Sequence, residues 1–299
     1  MKNLLKITLS IFVFLTLAAT AHAQDGKKQA DHKHHWHFGD STRMKTMKCA
    51  MEKFNMDEFP LCRDKKKFNG HWAGIDLGIG GYVTPGSDMN FSHSDPFLNL
   101  NTARSVTVNI NPFELNLNLW KNHIGFTTGL GFQVTNYNFS GNYVMIKDSS
   151  ALTAYQVQDA QGKPVNLRVN KLVTAHLNLP LFFEYQTNPY RYMNSFHVTL
   201  GVVAGVRIGS YTKQVYKENG GSYILADQDG NPVYSYDVDH YSIRDVGSFH
   251  LNPFKLDAAF RIGWSHLNIF GTYSVTRMFQ KNQGPEVYPF TVGLTLLGW

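Results

Sequence analysis

The sequence lacks three features, each of which would define a class of protein. No cysteine follows directly after residue 23, where a signal peptide is predicted to end, so a lipoprotein anchor is not expected. Beyond that residue no apolar stretch is long enough for a spanning helix, and the mean hydropathy is −0.27. Residues 71–299 carry 15 basic and 15 acidic side chains. The net charge of +6 therefore lies within residues 1–70 and does not indicate nucleic-acid binding.

The N-terminus has the pattern of a secretory signal peptide. Lys2 and Lys6 form a short positive region before the uncharged apolar run from Ile7 to Ala21, and the small-x-small sequence at 21–23 matches a signal-peptidase site. We therefore expect residues 1–23 to be removed, so that the mature chain begins at Gln24 in the bacterial cell envelope.

Residues 24–70 form an N-terminal extension that is rich in His, Lys and Met and is predicted to be mostly flexible and periplasmic. Its histidines crowd into one short stretch: His32, His34, His35 and His37. Dense imidazoles can bind Zn, Cu or Ni, but no acidic or thiolate ligands stand at metal-site spacing, so no metal site is assigned and an adventitious polar leader is the favoured interpretation. In an oxidising periplasm Cys49 and Cys62 are expected to form a disulfide, with two unpaired thiols as the alternative.

From residue 71 onward the chain alternates with the period of two that is typical of β-strands. Aromatic residues make up 14% of the sequence, which also favours strands. Eight segments show the alternation: 72–83, 106–119, 124–137, 177–186, 196–209, 254–263, 267–275 and 290–296. In the second segment the apolar phase shifts by one residue near Asn111 and Pro112, which predicts a β-bulge.

The two rows of side chains differ in composition, and this difference separates a membrane barrel from a soluble one. One row is rich in Phe, Leu, Val and Ile and nearly free of charge. The other contains many glycines together with a predicted lumen charge network: Asp76, Glu114, Glu184, Arg207, Lys255, Asp257 and Arg261. Glycine weakens a solvated strand but makes room inside a narrow barrel, so we expect the polar row to line the lumen and the apolar row to face lipid.

The connections alternate between long and short, as in outer-membrane barrels with short periplasmic turns and longer outside loops. Aromatic residues near the strand ends predict interfacial girdles: Trp72, Tyr82, Trp120, Tyr137, Tyr185, Tyr190, Tyr192, Trp264, Tyr288 and Trp299. The predicted fold is all-β. It is an eight-stranded antiparallel up-and-down transmembrane β-barrel at 71–299, in a Gram-negative outer membrane, with a poorly ordered N-terminal extension and both termini periplasmic. Segments 140–167 and 212–250 are expected to be outside loops, the second a hydrated contact surface.

Five stretches of the barrel region have a familiar pattern. They are GHWAGIDLG at 70–78, GLGF at 129–132, LNLPL at 177–181, LNPF at 251–254 and GPEVYPFTVG at 284–293. Together they resemble a family of bacterial outer-membrane β-barrel domain proteins that are often labelled PorT-like, over roughly residues 70–296. The resemblance implies an outer-membrane barrel fold. It implies no activity, cofactor or binding residues.

No catalytic centre is predicted. His176, His197 and Glu184 face inward and Ser195 lies beside a turn, but no nucleophile motif frames them, so we interpret them as part of a polar lumen. A pore is not expected either, because side chains fill the lumen of an eight-stranded barrel.

The expected function is that of a non-enzymatic outer-membrane protein with a structural or surface-interaction role and no cofactor. Its expected partners are outer-membrane lipids, the barrel-assembly machinery and periplasmic proteins that bind residues 24–70. The alternative is an accessory component of an outer-membrane secretion machinery, as the PorT-like label implies. A lipid-modifying enzyme is a less favoured third hypothesis.

Overall fold

The computed structural model describes residues 68–89, 91, 95–146, 150–188, 195–217, 220–227, 229–264 and 267–298. The predicted signal peptide, the histidine cluster, Cys49 and Cys62 lie outside these residues, and only 68–70 of the predicted extension fall within them. No helix in the described part of the chain is long and apolar enough to cross a membrane.

The described residues form thirteen strands and two short 3-10 helices, Pro96–Leu98 and Thr102–Arg104. The strands are β1 (Gly74–Val83), β2 (Val106–Trp120), β3 (Ile124–Asn138), β4 (Tyr143–Ile146), β5 (Thr153–Gln158), β6 (Val169–Gln186), β7 (Phe196–Val215), β8 (Gly221–Ala226), β9 (Pro232–Val238), β10 (Ser242–Val246), β11 (Phe254–Trp264), β12 (Leu267–Ser274) and β13 (Tyr288–Gly298).

Eight of these strands close into an antiparallel barrel in the order β1-β2-β3-β6-β7-β11-β12-β13. The ring is completed where β13 pairs with β1, from Gly74 opposite Gly298 to Val83 opposite Tyr288. The predicted eight-stranded barrel is therefore confirmed. The β2–β3, β6–β7 and β11–β12 connections lie at one end, which we call the turn end, and the opposite end is called the loop end.

Two of the register shifts in the barrel wall bear on which residues face the lumen. The β2–β3 register jumps between Ile110 and Phe113, which is where the sequence predicts a bulge beside Pro112. A second shift in the β6–β7 pair leaves Ile208 without a partner, because Ala175 pairs with Gly209 but the next residue pairs with Arg207.

The outer and inner faces of the barrel differ as the alternating pattern predicts. Large apolar side chains are exposed on the outside of every barrel strand: Leu77, Ile79, Phe113, Leu115, Phe132, Leu181, Phe183, Leu200, Phe260, Ile262, Ile269, Val292 and Leu294. Buried polar and charged side chains occupy the inside, for example Asp76, Glu184 and Arg261. An apolar belt of this extent is the surface that a barrel presents to lipid.

The long segments at the loop end contain strands where loops were expected. β4, β5, β8 and β9 form a separate four-stranded sheet, which we call the outer sheet. β10 pairs with residues 211–215 at the loop end of β7. The prediction of loops at 140–167 and 212–250 was therefore wrong. The sequence pattern missed these strands because they are short and because β5, in the first segment, pairs with β8, in the second. Tyr216 and Tyr223 are buried in the core of the outer sheet, so they do not belong to a hydrated surface.

A hydrophobic cluster, which we call the lid, packs at the loop end of the barrel. Its buried members come from four connections and from barrel strands: Tyr82, Phe91, Phe97, Leu98, Tyr137, Met145, Ala154, Leu172, Phe249, Leu251, Met278, Phe279 and Val287. Tyr82 and Tyr137 were expected in an interfacial girdle, and their burial in the lid corrects that prediction. Trp120, Tyr185 and Trp264 are exposed at the turn end, as a girdle requires.

Candidate functional site

The residues that precede β1 lie inside the turn end of the barrel. Phe68, His71 and Trp72 are all buried, and the indole of Trp72 contacts the ring of Phe182 edge-on, with centroids 5.4 Å apart. The sequence analysis placed Trp72 in an aromatic girdle, so its position in the lumen is a correction. We call residues 68–73 the plug, because they fill the turn end of the lumen.

Glycines on the inward row of β3 make room for the plug. A Cβ atom on Gly129 would lie 3.2 Å from Trp72 Cδ1, and one on Gly131 would lie 3.1 Å from Trp72 Cζ2. A Cβ atom on Gly125 would meet the ring of Phe68. The glycine-rich row is therefore the sequence signal that could have revealed an internal segment.

Two carboxylates fasten the plug to the barrel wall. Glu114 Oε2 accepts hydrogen bonds from the backbone N–H groups of Trp72 at 2.6 Å and Ala73 at 2.7 Å. Glu184 Oε2 accepts one from the backbone N–H of His71 at 3.2 Å, and Glu184 Oε1 lies 2.5 Å from His71 Nδ1. Hydrogen bonds to charged acceptors are about twice as strong as neutral ones, so these carboxylates hold the plug tightly.

Glu184 is the centre of a buried polar cluster. Thr199 Oγ1 and Gln186 Nε2 also donate to its carboxylate, at 3.2 and 2.8 Å. The ring of His71 stacks on that of His197 with centroids 3.5 Å apart, and His197 Nε2 contacts the Asn268 side-chain oxygen. The sequence analysis did not identify His71, Gln186 or Asn268 as members of this cluster.

A second buried cluster forms around Asp76 and Arg261. Arg261 Nη2 lies 2.9 Å from Asp76 Oδ2, and both side chains are almost completely buried. Arg261 Nη1 donates to the backbone oxygen of His71 at 3.0 Å and to Thr295 Oγ1 at 2.9 Å. Asn111 Nδ2 donates to Asp76 at 3.1 Å. The pair is thus satisfied on all sides, as a buried ion pair must be to remain charged.

The remaining predicted lumen charges lie nearer the loop end. Lys255 Nζ is 2.5 Å from Asp257 Oδ2 and also donates to Gln133 Oε1. Arg207 donates to Ser210 Oγ at 2.8 Å and to the backbone oxygen of Leu251 at 3.2 Å. Among the described residues no carboxylate lies within ion-pair distance of Arg207, so the structure separates it from the predicted ion pairs.

The lumen contains a small polar cavity between these charges and the lid. The cavity has about 40 Å³ of space for water-sized molecules, which is enough for about three waters. It is lined by Tyr137, Thr174, His176, Arg207, Lys255 and Asp257, among others. His176 Nδ1 and Thr174 Oγ1 have no hydrogen-bond partner within the described part of the chain, so the cavity is polar enough to hold water. Its volume is far below that of a ligand pocket.

The side chains weighed as a catalytic centre do not all come together, because His197 and Glu184 share the buried polar cluster described above but His176 lies far from it. Across β6 and β7, His176 pairs with Arg207, whereas His197 pairs with Gln186. His176 and Gln186 are ten residues apart on β6, which is about 33 Å along the strand. Ser195 Oγ accepts a hydrogen bond from the backbone N–H of Asn188 at 3.2 Å. No cluster of potential metal ligands is found among the residues that the structure describes.

Comparison with protein families agrees with this architecture. Residues 73–279 match the family model described as an outer membrane protein beta-barrel domain. The chain belongs to this family. It is an outer-membrane β-barrel protein, and the match covers seven of its eight barrel strands, while β13 closes the ring beyond the matched region. No curated protein and no solved structure matches the chain.

Proposed function

We propose that this outer-membrane protein is a closed, non-enzymatic barrel that presents the outer sheet at the cell surface as an interaction platform. In this proposal the loop end is outside the cell and both termini are periplasmic. The observation that carries it is the construction of the outer sheet, which joins two separate loop-end segments into one sheet with its own core.

The outer sheet has the rigidity that a recognition surface needs. Tyr216 and Tyr223 pack with centroids 4.6 Å apart, and the hydroxyl groups of Tyr216 and Tyr236 lie 2.5 Å from each other. β6 and β7 extend beyond the barrel wall with 18 and 20 residues, and Tyr216 follows directly on β7. A preorganised surface loses less conformational entropy on binding than a flexible loop does.

The β9 edge of this sheet offers a binding mode. β9 is the last strand of the outer sheet, and its Tyr234 and Val233 are 59% and 41% exposed. An edge strand carries unpaired backbone groups that can bind an extended peptide, while adjacent side chains supply specificity. An extended segment of a protein partner fits such an edge.

The filled lumen supports the absence of enzymatic or channel activity. The plug occupies the turn end, the lid covers the loop end, and the cavity between them has room for about three waters. A substrate channel or an acyl-transfer centre would need more space than this.

A second candidate is an accessory role in protein secretion. The resemblance to PorT-like proteins favours it, and the predicted periplasmic extension at 24–70 would provide the contact with the machinery. In that case the partner would bind on the opposite side of the membrane from the outer sheet.

Site-specific photo-crosslinking in living cells distinguishes these functions. A benzoylphenylalanine at Tyr234 tests the outer sheet, one at Trp36 tests the extension, and one at the buried Tyr216 is the control. We expect a discrete protein adduct at Tyr234 and none at Tyr216. Adducts with secretion proteins from Trp36 alone would replace the platform proposal with the secretion role, and no adduct from either position would contradict both.

The proposed orientation has its own test. An epitope inserted at Asp229 and Gly230, in the exposed β8–β9 turn, should be detected by antibody on intact cells. Detection only after the outer membrane is permeabilised would reverse the orientation. In planar bilayers, the folded protein should show no single-channel conductance.

A further inference from the structure

Three basic side chains form a row across adjacent strands near the loop end. Lys171 of β6 pairs in register with Lys213 of β7, and Lys213 pairs with Arg244 of β10. Because paired residues on neighbouring strands project to the same face, the three cations lie side by side. We call this set the basic row.

The basic row is on the outer face of the barrel. Side chains alternate along a strand, so Lys171 projects to the same side of β6 as the exposed Leu179 and Leu181. On β7 the register shift at Ile208 brings Lys213 to this outer face. The neighbouring side chain of Thr212 then projects inward and is buried.

No carboxylate in the described part of the chain forms an ion pair with the row. Lys171 Nζ donates to the side-chain oxygen of Asn136 at 3.0 Å, and the Arg244 guanidinium stacks 3.8 Å above the ring of Tyr211. None of the three cations forms an ion pair with any residue that the structure describes. Like charges directly opposite each other on neighbouring strands repel and destabilise the sheet. Because no ion pair offsets it among the described residues, the row is a positive surface.

The height of the row matches a layer of lipid headgroups. Tyr185 is exposed near the turn end of β6. Between Tyr185 and Lys171, fourteen residues earlier in the chain, the outer face of β6 carries no charged side chain. Fourteen residues of strand span about 46 Å, or roughly 33–38 Å along the membrane normal at the usual strand tilt. The hydrocarbon core is about 30 Å thick and lies within about 40–45 Å of bilayer including headgroups. With Tyr185 placed at the turn-side boundary of the hydrocarbon core, the basic row falls just beyond the boundary on the loop side.

Exposed apolar side chains lie on the same outer face, five residues below Lys213 on β7 and eight residues below Lys171 on β6. Val206 and Ile208 on β7 are 44% and 59% exposed, and Leu179 on β6 is 43% exposed. A molecule that joins an anion to acyl chains can contact the cations and this apolar surface at the same time. Free phosphate could contact only the cations.

We propose that Lys171, Lys213 and Arg244 bind the phosphate group of an anionic membrane lipid in the leaflet at the loop end. Arg244 supplies a planar fork of donors that suits phosphate, and the two lysines supply point charges beside it. The acyl chains of the lipid lie along the apolar belt below. Such a lipid would neutralise the row and fasten the β6–β7–β10 region to the membrane surface.

Native mass spectrometry of the full mature chain, folded in detergent micelles, tests the proposal. The probes are phosphatidylglycerol, zwitterionic phosphatidylcholine and inorganic phosphate. Wild-type protein should retain phosphatidylglycerol in preference to phosphatidylcholine. The triple variant Lys171→Gln/Lys213→Gln/Arg244→Gln should bind phosphatidylglycerol about 10- to 100-fold more weakly, because each cation near the surface contributes to the attraction.

A charge-matched control separates a defined site from general electrostatics. Lys163→Gln/Lys217→Gln/Lys281→Gln removes three exposed cations from other loop-end positions and should leave lipid binding unchanged. Equal loss in both triple variants would overturn the proposal, as would unchanged binding in the basic-row variant. Competition by inorganic phosphate as effective as that by the lipid would overturn the lipid as the ligand.

Folding of each variant is checked by its heat-dependent shift in gel mobility. If the triple variant does not fold, Arg244→Gln alone supplies the test. It should weaken phosphatidylglycerol binding about fivefold, while Arg244→Lys should retain most of it. Wild-type binding by Arg244→Gln would then contradict the assignment.

Discussion

Arg261 reaches across the barrel lumen to Asp76, although two strands, β12 and β13, separate their own strands in the wall. The 2.9 Å contact between Arg261 Nη2 and Asp76 Oδ2 is buried, and Thr295 and Asn111 complete its hydrogen bonding. The pair thus connects parts of the wall that no backbone ladder joins directly. Its removal should affect the whole barrel.

The first prediction concerns this ion pair. Asp76→Ala should lower the free energy of unfolding by about 3–5 kcal/mol, because Arg261 would remain as a buried unpaired charge. The double variant Asp76→Ala/Arg261→Leu should recover part of the loss. Urea unfolding in micelles measures both, with the exposed Asp229→Ala as a control expected to change stability by less than about 0.5 kcal/mol. No recovery in the double variant would contradict the explanation.

The plug gives a second prediction, based on two glycines. Gly125→Ala should destabilise the barrel by about 1–3 kcal/mol, because the added methyl group would press on the ring of Phe68 in the plug. Gly209→Ala should be neutral or slightly stabilising, since no atom lies within 4 Å of the added carbon. Thermal unfolding of the two variants compares them directly, and equal stabilities would show that the plug does not occupy this space.

The apolar belt gives a third prediction. Leu179 lies near the middle of the outer face of β6, so Leu179→Arg should cost about 2–4 kcal/mol in a phospholipid bilayer. The same substitution at Tyr185, near the turn end, should cost about 0–1 kcal/mol. Unfolding from lipid vesicles in urea measures the difference. A larger cost at Tyr185 would mean that the belt is misplaced.

A fourth prediction addresses the lid. Phe249 is completely buried, so Phe249→Ala should destabilise the protein by about 3–5 kcal/mol and expose the loop-end segments to protease. Tyr234→Ala, at an exposed position in the outer sheet, should change stability by less than about 0.5 kcal/mol. The lid would have no structural role if limited proteolysis gave the same cleavage rates for both.

The tyrosine pair of the outer sheet predicts a dependence on alkaline pH. Burial raises the pKa of Tyr236 and of Tyr216 above the ordinary value of 10.0. A raised pKa favours the neutral phenol in the folded state, so the contribution to stability is complete below pH 10 and is lost as the pH rises above it. Absorbance of phenolate at 295 nm follows the titration. Tyr236→Phe should reduce the fraction of tyrosines that ionise only above pH 10. Titration of all tyrosines near pH 10 would contradict the prediction.

The local pattern of the chain was sufficient to predict the barrel wall. Alternating side chains must project to opposite faces of a strand, so composition alone separated the lipid-facing row from the lumen row. Pro112 cannot donate a ladder hydrogen bond, and the phase shift beside it predicted a bulge that the register confirms. The outer sheet was not predictable in this way, because β5 pairs with β8 across two segments far apart in the chain.

The sequence by itself determined the strand period, the two faces and the eight-stranded ring, since each depends on residues close together in the chain. Tertiary structure alone decided what fills that ring. His71 meets Glu184 across 113 positions, and Arg261 meets Asp76 across 185. Contacts of this kind exist only after β13 has paired with β1, because closure of the barrel sets which inward side chains share one level of the lumen.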